Sequence, residues 1–369
     1  MKLKSIDVIA IEIPLPSPML GATYSVPTRN AIITRLTTED GLTSEVFNGD
    51  NRETGREICA IIRDKLWPVI QGEDIHHSEH IWQKMFKLTH GQRHYAHLLE
   101  AIGCVDTAIW DLRAKALGVS VATMAGVYRD KSPIIATGGY YAKGKTLKDI
   151  GDEMRFLKSV GMYGIKFKVG GLEPEQDIER VAAAREAAGP DFAIGCDANR
   201  GWNVDQAKRF AKLAEPLGVA WFEEPCHWHD DARMMAEVRL STSIPINAGQ
   251  SEITAAGVRR LLDAKAVDWV NFDMSHGGGP TEWRRAAEMC GGVGVKMMHH
   301  EEAHLTCHLL ATIPHGLYVD CFPDPKRDPI WDKLWVNRPK VANGYIEVPK
   351  GPGFDIKLDW DMVKKYRLD

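Results

Sequence analysis

A series of side chains able to move protons or hold a metal runs through the middle of this chain, each closing a short apolar run. They read Lys166-Phe167-Lys168, Asp197 with Asn199, Glu223-Glu224, Gln250 with Glu252, Asp273, His299-His300 and Asp320. Successive members lie roughly 20 to 30 residues apart, the length of one strand–loop–helix unit. In a barrel of alternating strands and helices the active site forms at the C-terminal strand ends. A polar group at each of those ends is the one-dimensional trace of such a site.

Asp197, Glu223 and a polar group near 250 end three consecutive strands and so point into one mouth. Converging oxygen ligands suit Mg2+ better than zinc, which favours nitrogen and sulfur. Strand alternation puts Lys166 and Lys168 on one face. Like charges held together disfavour protonation, which is expected to lower a lysine toward use as a general base. Asp273 beside His300 is the arrangement that orients an acid–base histidine and raises its basicity. Lys168 and His300 then approach the two faces of one substrate carbon over the metal, which stabilises the enediolate left when a proton departs next to a carboxylate. Asp320, if protonated, is a candidate donor to the same developing oxyanion.

The elements that must position these groups follow from periodicity. Strand-type runs are expected at 134–137, 164–169, 192–196, 219–222, 244–248, 267–272, 295–298 and 317–322, with amphipathic helical segments such as 147–160, 176–188, 204–217, 255–264 and 281–290 between them. This interleaving predicts a closed barrel, and the Gly-rich dinucleotide fingerprint is absent after the first strand. Residues 1–130 have another texture. Two alternating segments, 6–13 and 31–37, flank a Pro/Gly/Ser-rich stretch, 14–27, and helical patterns follow at 56–69, 77–86 and 95–117. They predict a small α+β module. A tail from Pro339 returns to short strand-like runs and is expected to pack on that module.

The length of 369 residues suggests two domains. With 26% charged and 44% hydrophobic residues and a net charge of -4, nothing points to nucleic acid. No run approaches a membrane span, and the N-terminus reads as a strand and not as a signal peptide. Seven cysteines without CxxC spacing fit the reduced thiols of a cytoplasm. His300-Glu301-Glu302-Ala303-His304 matches H-E-x-x-H, the helical zinc-peptidase signature. Here it follows a strand directly, so His304 and His308 are expected to pack or cap the next helix.

The order Lys166-x-Lys168, Asp197-Ala198-Asn199, Glu223-Glu224-Pro225, Asp273 and His300 resembles the enolase superfamily, in particular its mandelate racemase group, over nearly the whole chain. The resemblance implies an α/β fold, a (β/α)7β TIM-like barrel over about 131–335. An α+β capping domain would come from residues 1–130 and the returning segment 336–369. It implies Mg2+ as cofactor on Asp197 and Glu223. It makes Lys168 one acid–base catalyst, with Lys166 lowering its pKa and contacting the substrate carboxylate, and His300 with Asp273 the other. Asn199 would sit beside the metal and Glu224 behind it. Where the family has Gly-Glu as third ligand, this chain has Gly249-Gln250-Ser251-Glu252. Gln250 aligns, while Glu252 is favoured on charge and would share its face on an extended strand. Asp320 replaces the family's usual Glu, and His299 is the alternative to His300. Two loops are expected over the substrate, Met19 to Tyr24 and Asn48 to Arg52, which makes Tyr24, Asn48 and Arg52 candidate substrate contacts. The reaction implied is dehydration of an aldonate or aldarate to a 2-keto-3-deoxy acid, and the resemblance also implies a homo-oligomer of the family type. A 2-hydroxy-acid racemase or epimerase and a non-catalytic sugar-acid-binding barrel are the alternatives.

Overall fold

Alternation from Ile6 onward makes the first element a strand, and it runs further than its pattern suggests. In this computed structural model, which describes residues 1–49, 54–227 and 230–368, β1 (Leu3–Leu20) and β2 (Ser25–Thr38) form one long antiparallel hairpin. The Pro/Gly/Ser-rich stretch is therefore strand and hairpin tip. β1 lies at the edge of a three-stranded sheet completed by β3 (Val46–Gly49). At an edge a proline's missing N–H need cost no ladder bond, and the pairing register slips between Pro14 and Met19. Helices α1 (Gly55–Ile61) and α4 (Ala96–Ala116) pack on this sheet, and α2 (Trp67–Ile70), α3 (Ser78–Phe86) and α5 (Val121–Ala125) pack on other helices.

The second part is the barrel. Its strands are β4 (Lys131–Gly138), β5 (Gly164–Lys168), β6 (Ala193–Asp197), β7 (Trp221–Glu223), β8 (Ile246–Ala248), β9 (Trp269–Val270), β10 (Lys296–Met297) and β11 (Val319–Cys321). Between them run α6 (Leu147–Ser159), α7 (Pro174–Ala188), α8 (Val204–Ala214), α9 (Asp231–Arg239), α10 (Ala255–Asp263), α11 (Pro280–Gly292) and α12 (Ala303–Leu310). Neighbouring strands pair in parallel from β4 to β10. The ring closes where β11 pairs with β4 and Met297 bridges to Gly316. Seven strand–helix units and a last strand make the architecture (β/α)7β. Polar caps start several helices, among them Thr146, Asn203 and Thr254, each accepting a backbone N–H from the first turn.

The barrel interior is filled from below. Ile135, Trp221, Trp269 and Met298 form a closed apolar floor with Tyr318, and Gly195 leaves room for it, since a Cβ there would lie 2.0 Å from the Trp221 ring. Above this floor the inward positions turn polar. Register sets Lys168 beside Asp197, Asp197 beside Glu223, and Glu223 beside Asn247.

The tail divides its loyalties. β12 (Val341–Ala342) and β13 (Tyr345–Glu347) add antiparallel to the start of β4, and the stretch from Gly353 through α13 (Trp360–Tyr366) returns to the cap, with Phe354 N donating to Asp111 Oδ1 of α4 and Leu368 N to Ala10 O, each at 2.8 Å. The β1–β2 tip is clipped to the barrel, Tyr141 N donating to Leu20 O at 2.9 Å. Asp106 of α4 accepts from Thr281 N and Oγ1 at the first turn of α11. Among the described residues no helix is long and apolar enough to cross a membrane. All seven cysteines are buried and free.

Candidate active site

Lys166 and Lys168 alternate with Ile165 and Phe167 on β5, so the ammonium groups enter the barrel while the apolar pair joins the main core. Lys168 Nζ donates to Asp197 Oδ2 at 2.6 Å. Lys166 Nζ crosses the interior to Asp320 Oδ2 at 2.7 Å and stands 3.4 Å from Glu223 Oε1. Burial pulls both lysines down, but Asp320 and Glu223 outweigh it at Lys166, and Asp197 does so at Lys168. Both are held above the ordinary lysine value, so the depression expected from like charges is reversed here by the carboxylates.

Glu223 is held by three neutral donors. It accepts from Trp221 Nε1 at 3.1 Å, Asn247 Nδ2 at 2.8 Å and Asn271 Nδ2 at 2.9 Å. The same Asn271 nitrogen donates to Gln250 Oε1 at 3.2 Å, which brings that amide oxygen to Glu223. Glu252 goes elsewhere. β8 ends at Ala248, and Gly249 (φ 139°) opens a turn closed by Glu252 N donating to Gly249 O at 3.0 Å. The extended phase that would align Glu252 with Gln250 is lost, and its carboxylate pairs with Arg260 at 2.5 Å. The preference for Glu252 as third ligand is thus corrected.

Three buried carboxylates, Asp197, Glu223 and Asp320, face two ammonium groups, Lys166 and Lys168. The acids outnumber the ammonium groups by one, and burial pushes the Glu223 carboxyl up despite Lys166. An acid excess with an amide oxygen beside it is a hard, all-oxygen donor set that fits a divalent cation. Asp197, Glu223 and Gln250 are the residues able to hold it.

On the far side Asp273 Oδ2 receives His300 Nδ1–H at 2.9 Å, while its Oδ1 accepts from Ser275 N at 2.8 Å. Burial pulls His300 down, but the Asp273 hydrogen bond and the charge of Glu301 outweigh it against Lys166, so the imidazole is held above its ordinary value. Its Nε2 is left toward a cavity of about 510 Å3 that both Lys168 and His300 line. Tyr24, Asn199 and Gln250 line it too, with Arg29, Tyr140 and Glu301. Tyr24 comes from the hairpin tip, its hydroxyl donating to Asn199 Oδ1 at 3.2 Å.

Other expected contacts lie away from this cavity. His299 is buried beneath it, accepting from Met274 N at Nε2 and donating from Nδ1 to His300 O, and burial pushes it down to about 4. Asn48 belongs to β3 rather than a loop and ties cap to barrel by donating to Ser275 Oγ at 2.6 Å. Arg52 lies outside the described residues. Asp320 is the counter-ion of Lys166, with Thr137 Oγ1 donating to its other oxygen, and this leaves its expected donor role without support. Glu224 turns aside on a left-handed backbone (φ 40°) to accept from Ser251 Oγ at 2.8 Å, near Arg200 at 3.3 Å, and burial pushes it up to about 7. The H-E-x-x-H match is not helical. Glu301 and Glu302 are both left-handed, α12 begins only at Ala303, and His304 donates to Phe47 O. The reading of the residues overlooked Asn247, Asn271, Arg29, Tyr140 and Glu301. The amides at two strand ends were the available signal.

The profile described as mandelate racemase/muconate lactonizing enzyme, N-terminal domain, matches residues 5–126, and the one described as enolase C-terminal domain-like matches 149–362. A crystal structure of a mandelate racemase/muconate lactonizing enzyme from a marine actinobacterium, solved with magnesium, is 40% identical, with a TM-score of 0.93 over 100% of this chain and 99% of that one. Arabinonate dehydratase of Saccharolobus solfataricus is 28% identical over 345 residues, 91% of this chain and 90% of that enzyme. L-talarate dehydratase from Polaromonas sp. JS666, solved with Mg and L-glucarate, is 26% identical with a TM-score of 0.90 over 100% and 98%. The chain belongs to the mandelate racemase/muconate lactonizing enzyme family of the enolase superfamily.

Proposed function

We propose that this protein is a Mg2+-dependent dehydratase of aldonate or aldarate sugar acids. One observation carries the reading: Lys168 and His300 line one cavity, from strands three steps apart around an eight-strand ring, beside acids that outnumber their ammonium partners. The relatives named as sugar-acid dehydratases support the same reaction class. Asp197, Glu223 and Gln250 would hold the ion, which when bound supplies Lewis-acid stabilisation of charge developing on the substrate carboxylate.

With Asp197 and Glu223 committed to that ion, Lys168 loses the partner that holds its proton, and repulsion from Lys166 favours its neutral form. Lys168 then takes the proton next to the carboxylate. Lys166, anchored by Asp320, offers positive charge to the substrate carboxylate. His300, oriented by Asp273, gives its Nε2 proton to the β-hydroxyl as the C–O bond breaks. Water leaves, and the enol tautomerises to the 2-keto-3-deoxy acid.

A screen of purified protein with Mg2+ against aldonates and aldarates, with semicarbazide detection of 2-keto-3-deoxy products, tests this. A hit lost in both Lys168→Ala and His300→Ala supports dehydration. Exchange of the α-proton with deuterated water but no keto acid on any substrate would instead favour racemisation or epimerisation by the same pair. Binding of sugar acids with neither reaction would point to the non-catalytic barrel.

A further inference from the structure

Glu301 has no part in the chemistry so far, yet it lines the cavity beside the atom that delivers the proton. Its left-handed backbone (φ 57°) turns the side chain inward directly after His300. One oxygen, Oε2, accepts from Arg29 Nη2 at 2.8 Å, and Arg29 is itself set by Asp328 at 3.5 Å and by the Phe322 ring at 4.6 Å. The other oxygen, Oε1, stands 3.8 Å from His300 Nε2. That span is too long for a direct hydrogen bond. It suits a single oxygen between them: an atom about 2.8 Å from each would see the pair at an angle of about 85°, within reach of a hydroxyl that accepts from one and donates to the other.

We propose that Glu301 is a specificity-determining residue for the β-hydroxyl, its Oε1 accepting that hydroxyl's own hydrogen while His300 Nε2–H protonates the same oxygen. The role rests on the dehydratase reading above. The balance is complete. The C–O bond breaks, its electron pair stays with oxygen, the proton from Nε2 makes that oxygen water, and the hydrogen held by Glu301 leaves with it unchanged. The electrons of the α C–H bond, whose proton goes to Lys168, become the new C=C bond. An ionised carboxylate accepts and never donates, so it fixes which way the hydroxyl points. Although burial opposes it, Arg29 and His300 hold the Glu301 carboxyl down to about 2, in keeping with that ionised state. Because Arg29 comes from β2 of the cap, the cap would set the orientation of a group that acts in the barrel.

Dehydration and α-proton exchange in deuterated water, followed side by side on the sugar acid found in the screen, separate the possibilities. In Glu301→Ala, dehydration should fall on the order of 100-fold while exchange stays within about threefold, because only the second step uses Glu301. Glu301→Gln, whose amide oxygen still accepts, should recover dehydration to within about tenfold of wild type. Arg29→Met, which frees Oε2, should show the same split and serves if Glu301→Ala does not fold. Equal loss of both reactions, or loss of neither, would overturn the assignment while leaving the dehydratase standing. A wild type with neither reaction on any acid would overturn the dehydratase reading and this role together.

Discussion

Replacing Asp273 by Asn tests whether the carboxylate beside His300 does more than fill space. Asp273 has two occupied oxygens: Oδ1 accepts from Ser275 N at 2.8 Å, and Oδ2 from His300 Nδ1 at 2.9 Å. An asparagine offers one acceptor and one donor. Either its NH2 meets the Ser275 N–H, or it faces His300 and forces Nδ1 to accept, leaving the neutral ring's proton on Nε2. A buried charge-assisted bond is worth about 1.5–3 kcal/mol, so kcat should fall about 10- to 160-fold. The pH dependence carries a sign that packing alone does not. His300 faces Asp273, Glu301, Lys166 and His276, and it lies above its ordinary 6.5 because the Asp273 bond and Glu301 outweigh burial and Lys166. Its stabilising contribution is complete below about 6.5 and is lost as pH rises through the folded value. Burial opposes the ionised Asp273, but His276, the His300 bond and His299 hold its carboxyl far below 3.8. Its contribution is complete above 3.8 and disappears in acid. In Asp273→Asn the His300 imidazole should titrate at lower pH, read by NMR with the resonance assigned from its loss in His300→Asn. An unchanged titration together with unchanged kcat would refute the reasoning.

Three further outcomes are expected. Addition of Mg2+ to EDTA-treated protein should raise the melting temperature, by the equivalent of about 2.7 kcal/mol at a hundredfold excess over Kd. Gln250→Ala should shrink that shift and Glu252→Ala should keep it, and the reverse would reinstate Glu252 as ligand. Lys166→Met leaves Glu223 and Asp320 buried without their cation and should cost about 3–5 kcal/mol in urea unfolding. Adding Asp320→Asn should recover at least about 1 kcal/mol of that loss, and strict additivity would count against the pairing. Gly195→Ala drives a Cβ into the Trp221 ring and should destabilise by about 3 kcal/mol or more, whereas a neutral effect would mean the floor is loosely packed.

The barrel and the opposed pair Lys168 and His300 were legible because each followed a strand of regular phase, and phase is what a pattern of alternating residues records. Contacts across the barrel were not. Asp320 found Lys166 on another strand, and Arg29 reached Glu301 over a separation of 272 residues. Asn247 and Asn271 went unread because an amide carries no titratable signal, although together they hold Glu223 and Gln250 in place.

The preference for Glu252 and the unread role of Glu301 share a cause. Asn199, Arg200, Glu224, Glu301 and Glu302 all take left-handed backbone in the turns that follow barrel strands, a conformation costing non-glycine residues of order 1 kcal/mol each. Such a residue breaks the two-residue alternation, so the next side chain need not point where a strand would send it. Glu223 enters the barrel while Glu224 turns to Ser251, and His300 faces the cavity with Glu301 still beside it. At Gly249 the same break carries Glu252 out to Arg260. A regular strand can present only every second residue to the mouth of the barrel. The strained corners let consecutive residues serve the site, and for that reason the alternation that found the strand ends could not assign what followed them.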